Sequence, residues 1–218
     1  MIPSTRNRRS TVDKFDERRN ELAESALLTL GELGYARTSL RDIANNSPYS
    51  HGVLHYYFAD KLELVSYSVT YYKMRCVHRY DEVVERSRTE QELLDGFADR
   101  LVETIADEAP MHRLWYDLRV ESMFDERLRD TVLQIEQALE DMIWRIVTRY
   151  AELADREVAM DPTSAYAVLD GLFQAALFKH VTGDAEAVSA LVRQVHNLLP
   201  MTLGPLPHPA HVSRSVSS

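Results

Sequence analysis

The sequence predicts an all-α protein of about nine helices, a short three-helix head followed by a larger helical bundle. Three observations predict it. Only 7 glycines and 8 prolines punctuate 218 residues, too few for a chain of many short strands and turns. Apolar residues recur at three- and four-residue spacings, and no run alternates with the period of two that marks a half-buried strand. Apolar residues form 45% of the chain and charged residues 27%, which supports a real core with an ordinary soluble surface.

Residues 1–12 read as a basic flexible arm, with Arg6, Arg8 and Arg9 and no acid. No apolar run follows them, so the arm is not a secretory leader. From Asp13 to Gly31 the residues Phe15, Leu22, Ala23, Ala26, Leu27 and Leu30 trace one helical face. Gly31 or Gly34 can end that helix, because glycine tolerates the left-handed conformation in which helices stop. A second, short helix starts near Thr38 or Ser39, and Ser39 with Asp42 three residues on resembles a capping box. Asn45, Asn46, Ser47 and Pro48 stop it. Ser50 can cap a third short helix that runs to about Tyr56, and Asp60 opens a fourth that continues into the mid-eighties.

Further helices fall at about 90–107, 111–123, 125–152, 162–182 and 184–199. Pro110 and Pro162 sit near helix N-termini, where a missing amide proton costs little. The segment 162–182 leaves almost no polar face: Tyr166, Leu169, Phe173 and Leu177 are joined by Val168, Leu172, Ala175, Ala176 and Phe178. A helix apolar all round must be covered on every side. The next helix adds a stripe of Val188, Leu191, Val195 and Leu198. These two helices are the expected homodimer interface, a four-helix arrangement across a two-fold axis. Residues 200–218, with four prolines, read as a flexible tail. The chain thus divides into the arm, a head over 13–61, a body over 62–199 and the tail.

Charge follows the same division. Residues 1–61 carry a formal charge of +1 and residues 62–218 a formal charge of -10. An acidic body behind a neutral head with a basic arm would turn the head toward phosphates. The single cysteine, Cys76, rules out an internal disulfide and any cysteine-rich zinc cluster. It reads as an inert buried thiol. No stretch is apolar enough for a membrane span, and the expected location is the cytoplasm. The motifs of an enzyme are missing too. There is no Glu-x-x-His pair for a di-iron bundle, no His-Glu-x-x-His, no phosphate-cradling glycine loop and no Gly-x-Ser-x-Gly. No catalytic residue, metal or cofactor is expected.

The informative stretch runs from Thr38 to Lys61, TSLRDIANNSPYSHGVLHYYFADK. A short helix, a tight turn and a second short helix make a helix-turn-helix, whose second helix can enter the major groove of DNA. The ordered set Gly34-Tyr35, Thr38-Ser39, Ile43-Ala44, Ser50-His51-Gly52-Val53-Leu54, Tyr57-Phe58 and Lys61 resembles the N-terminal pattern of the TetR family of regulators. The resemblance covers the head alone; the body agrees in length and helical character.

That resemblance implies DNA-binding roles. Thr38 would cap the first motif helix and touch phosphate, with Ser39 beside it. Ser50, His51, Gly52 and Val53 would face the groove, and His55, Tyr56 and Lys61 would meet backbone phosphates. Tyr57 and Phe58 would fix the head to the next helix. Two departures stand out. Pro48 and Tyr49 replace the glycine and small apolar residue usual in the turn, and proline cannot supply φ > 0. His55 stands where a tyrosine is usual.

The resemblance also implies a ligand cavity in the body. Its expected lining is His78, Met111, Trp115, Tyr116, Arg119, Trp144 and Phe173, since large aromatics with a few polar tips suit small-molecule pockets. The function expected is a transcriptional regulator, by family default a repressor. A dimer would hold a near-palindromic operator until a small-molecule effector releases it, with the long fourth helix linking pocket to head. A helical interaction or ligand-binding bundle without DNA binding is the alternative.

Overall fold

Leu22, Ala23, Ala26, Leu27 and Leu30 lie on one stripe of helix α1 (Thr5–Leu33), and all are buried. That stripe packs chiefly on α4 (Lys61–Cys76), and between them the chain forms α2 (Leu40–Asn45) and α3 (His51–Tyr57). The computed structural model describes residues 5–205. The expected arm therefore lies partly outside the described residues, and its remainder, from Thr5, continues α1 rather than forming a separate extended segment. Gly34, at φ +80°, ends the helix by donating to the Leu30 carbonyl at 2.8 Å.

Beyond the head come α5 (Asp81–Arg86), α6 (Glu90–Glu121), α7 (Arg129–Leu153), α8 (Pro162–Val181) and α9 (Ala187–Leu198), nine α-helices among the described residues. The body is a bundle in which α6, α7, α8 and α9 pack on one another while α4 reaches in beside α7. One continuous apolar core runs from Leu22 in α1 to Leu203 after α9.

Three sequence expectations need correction here. The fourth helix stops at Cys76 rather than running to the mid-eighties. A turn over Val77–Tyr80 turns the chain into α5, and the Arg145 guanidinium of α7 holds the Val77 carbonyl at 2.8 Å. The helices expected at 90–107 and 111–123 are one helix, α6, with a kink at Glu108 (φ -129°, ψ 17°), two residues before Pro110. Proline lacks the amide proton that would continue the ladder, so the helix bends there without ending. The tail begins later than Pro200. Leu199, Thr202 and Leu203 are buried, Ala159 N–H donates to the Thr202 carbonyl at 2.8 Å, and Gly204 N–H donates to Glu157 at 2.8 Å. Residues 206–218 lie outside the described residues.

Candidate nucleic-acid interface and internal cavity

At the head, α2 opens with a complete capping box. Ser39 Oγ accepts from Asp42 N–H at 3.2 Å, and the Asp42 carboxylate accepts from Ser39 N–H at 2.8 Å. The cap is thus Ser39, not Thr38. Thr38 is buried, and its hydroxyl turns back to the Gly34 carbonyl at 2.7 Å. The turn at Pro48 needs no left-handed residue. Ser47 Oγ accepts from Tyr49 N–H at 3.2 Å and donates to the Ala44 carbonyl at 3.4 Å, which closes the bend with a side chain in place of backbone.

Ser50 caps α3, its Oγ accepting from Val53 N–H at 3.3 Å. Leu54 and Phe58 point inward and are fully buried, so the opposite face of this short helix must face out. That face carries His51, Gly52, His55 and Tyr56, the last 75% exposed, with Val53 half-buried. His51 and His55, one turn apart, stack edge-on at 4.4 Å. The helix is held from behind. Arg19 of α1 lies 4.6 Å over the Phe58 ring and pairs with Glu63 at 2.7 Å, while Phe15 packs on Tyr57 at 4.8 Å. Lys61 is half-buried, with its ammonium donating to the Tyr35 carbonyl at 2.5 Å and resting 4.2 Å over the Tyr35 ring. Burial pushes its pKa down.

In the body, α4, α6, α7 and α8 surround a cavity of about 70 Å³. Phe97, Leu101, Leu139, Met142, Ile143 and Leu169 form its apolar wall. One side is polar. Lys73, 2% exposed, donates to His112 Nδ1 at 3.1 Å. An ammonium can only donate, so Nδ1 is the bare nitrogen and Nε2 carries the proton. Nε2–H then donates to the Tyr72 hydroxyl at 3.0 Å, and Tyr72 donates in turn to the Glu108 carboxylate. Arg79 closes the chain, 2.5 Å from Glu108 and 2.8 Å from Thr104 Oγ1. Burial holds the Lys73 pKa down to about 8 and keeps His112 well below the usual imidazole range, helped by the Lys73 and Arg79 charges. Opposite, Asp170 accepts from Tyr116 at 2.8 Å and from Arg119 at 2.7 Å, and Arg119 also meets Glu136 at 2.9 Å.

Of the expected lining, Trp115, Tyr116 and Phe173 do reach the cavity. The other four do not. His78 sits in the turn after α4, exposed and 2.7 Å from Asp81. Met111 lies against Gly31 of α1. Arg119 stands behind Asp170, and Trp144 is a half-buried side chain packed on the core. Sequence reasoning missed Lys73, Arg79, His112 and Asp170. A usable signal existed: Lys73 is one turn from Val69 and close to Cys76 on the buried face of α4, and His112 falls between Ala109 and Trp115 on that of α6.

The expected dimer residues are also turned differently. Tyr166, Leu169, Phe173, Leu177, Leu191 and Val195 are buried in the protomer's own core, while Val188 and Leu198 are half-buried. The outward face of α8 carries Ala167, Val168, Gly171, Ala175, Phe178 and Val181, with Phe178 67% exposed. Inward and outward sets are both apolar, which is why the pattern alone could not separate them.

Head and body meet at α6 as well as α4. Asp117 accepts from Tyr35 N–H at 2.8 Å, and Arg113 donates to the Gly31 carbonyl at 2.5 Å. His112, Trp115 and Tyr116 on the same turns face the cavity. No helix among the described residues is long and apolar enough to cross a membrane.

Residues 22–67 match the family of bacterial regulatory proteins, tetR family. No curated protein matches the chain. Among solved structures, a TetR transcription regulator from Haloarcula marismortui superposes with a TM-score of 0.71 at 18% identity, over 87% of this chain and 100% of that one. The regulator FadR from Bacillus subtilis, in complex with stearoyl-CoA, gives 0.66 at 18% identity over 82% and 95%. A transcriptional regulator from Saccharomonospora viridis, in complex with choline, gives 0.71 at 16% identity over 88% and 100%. The head thus matches the model of the bacterial regulatory proteins, tetR family, over residues 22–67, and the described chain shares the fold of these solved regulators.

Proposed function

We propose that the protein is a DNA-binding transcriptional repressor that acts as a homodimer on a near-palindromic operator and is released by a small molecule held in the body. The observation that carries the reading is the outward face of α3: a capped helix whose leading residues Ser50, His51 and Gly52 are exposed while Leu54 and Phe58 anchor it from behind. Two such heads about 34–36 Å apart would read successive turns of one major groove. Ser39, Val53, His55 and Tyr56 flank the same surface, and Lys61 and Thr38 hold the loop beneath it.

The outward apolar face of α8 supports dimerisation through α8 and α9. Val168, Phe178 and Val181 would lose their contact with water there, and Gly171 and Ala175 let two helices approach closely. Stearoyl-CoA in one structural neighbour and choline in another support a ligand role for the body cavity. An effector acts only through its different affinity for two conformations. Here the stretch of α6 from Met111 to Glu121 is suited to carry that difference, since it lines the cavity on one side and grips Gly31 and Tyr35 on the other.

The test is selection of genomic DNA fragments by the full-length protein, followed by anisotropy titration of a recovered fragment against random DNA over a range of salt. The expected result is a preferred near-palindrome whose binding weakens steeply with salt. His51→Ala should cost about 1–3 kcal/mol on that fragment and little on random DNA. Equal affinity for every fragment overturns the reading and favours a ligand-binding bundle.

A further inference from the structure

Lys73 is the cavity's unusual group. Its ammonium is buried on α4, and among the described residues its hydrogen-bond partner is a neutral imidazole, with no carboxylate in ion-pair range. The other charges around the cavity are already matched. Arg79 holds Glu108, and both oxygens of Asp170 are occupied, one by Tyr116 and one by Arg119. Lys73 has three N–H donors and uses one. Trp115, 1% exposed, has an indole N–H with no partner, and the Lys73 nitrogen lies 5.3 Å from the centre of its ring. Buried donors left unpaired are costly. Here two groups that can only donate line the same space.

We propose that the cavity takes a small monocarboxylic acid with an aromatic or short acyl body, its carboxylate accepting from Lys73 and within reach of the Trp115 N–H. This rests on the reading that the cavity holds the effector, and it names the chemical class. The apolar wall of Phe97, Leu101, Leu139, Met142 and Ile143 receives the body. The room of about 70 Å³ is about half of the roughly 150 Å³ in which benzene is held, so a single ring or a short acyl chain enters only as the wall gives way, and a nucleotide-bearing thioester is excluded from the cavity as it stands. A cation is disfavoured. Cys76, Glu108 and His112 bring their ligand atoms within 4.8 Å of one another, yet Lys73 occupies His112 Nδ1, Tyr72 occupies Nε2, and Arg79 occupies Glu108. Two positive charges beside the trio oppose a metal ion, and Lys73 itself opposes a quaternary ammonium.

Binding should also draw in protons. The Lys73 ammonium is faced by Tyr72 and Cys76 on its own helix, Arg79 after it, His112 and Glu108 on α6, Glu136 on α7, and Asp170 on α8. With a pKa of about 8, it is part neutral at that pH, and a carboxylate beside it would restore its charge.

The experiment is calorimetric titration of the full-length protein at pH 8, in two buffers of different ionisation enthalpy. The probes are benzoate, phenylacetate and hexanoate, with phenylacetamide and benzyltrimethylammonium as controls. At least one acid should bind, the amide should bind about ten- to a hundredfold more weakly, and the acid should take up about half a proton. Lys73→Met should reduce acid affinity by a similar factor and abolish the uptake, and Trp115→Phe, which keeps an aromatic side chain and removes the N–H, should weaken it less. Amide binding equal to acid binding, unchanged affinity in Lys73→Met, or no acid binding up to about 10 mM overturns the proposal. Operator binding is measured on the same samples. A protein that binds DNA but no acid refutes the ligand class alone, and one that binds acid but no DNA refutes the regulator reading alone.

Discussion

Lys73 makes the clearest demand at the scale of single residues. Its folded pKa of about 8 lies below the 10.5 of a free lysine, so the fold binds fewer protons than the unfolded chain between those values. Stability should therefore rise as pH goes from about 8 to about 10, the charged form being the one the interior resists. Lys73→Met, an apolar replacement of similar length, should stabilise the protein at pH 7 by about 1–3 kcal/mol, and the gain should shrink toward pH 10. Chemical denaturation at the two pH values measures it. His112 works at the acid end. It is held neutral in the fold but titrates at the ordinary value when unfolded, so stability should fall as pH drops below about 6.5. At the start of α2, Ser39→Ala removes a complete capping box and should cost about 1 kcal/mol of stability. Single residues were the least readable level. The roles of Ser39 and Ser50 followed from local hydrogen-bonding chemistry, whereas Lys73 and His112 acquire theirs from partners 39 and 40 residues away in sequence.

At the scale of elements, α6 has two faces with different duties. Gly31 of α1 sits beneath it so closely that a methyl group there would lie 3.2 Å from Pro110 and collide with the end of Met111. Gly31→Ala should cost about 1–2 kcal/mol through overpacking, read as a lowered Tm. Asp117→Asn keeps an acceptor for Tyr35 N–H but removes its charge, and Arg113→Ala frees the Gly31 carbonyl. Both variants should keep cavity binding and weaken the effect of ligand on operator affinity, measured by anisotropy with and without ligand. Helix positions were largely readable, because apolar spacing reports a buried stripe directly. Helix ends were less so. Nothing in the residues after Cys76 breaks a helix by itself; the turn there is fixed by Arg145 reaching across from α7. Pro110 reads as a boundary in the sequence, which shows a missing donor but not whether neighbouring packing carries the helix past it.

The whole molecule adds a requirement that no single helix states. The outward face of α8 leaves Phe178 67% exposed beside Val168 and Val181, an apolar strip that two protomers would cover together. Phe178→Glu should shift sedimentation to the monomer and weaken operator binding, since one head alone has few contacts. The all-helical architecture and the head were legible because both rest on local periodicity and caps. Which residues line the cavity was legible only in part. Trp115, Tyr116 and Phe173 announce themselves by size, but His78 and Trp144 look the same in sequence and differ only in rotation about their segments.

The bend at Glu108 has a consequence for motion. Because Pro110 offers no proton to the Ala106 carbonyl, that joint has one fewer bond to break than any other place along the helix. Flexing there is cheap, while the segments above and below stay stiff. Amide hydrogens at this joint should exchange with deuterium sooner than those two turns away on either side, and filling the pocket should slow them.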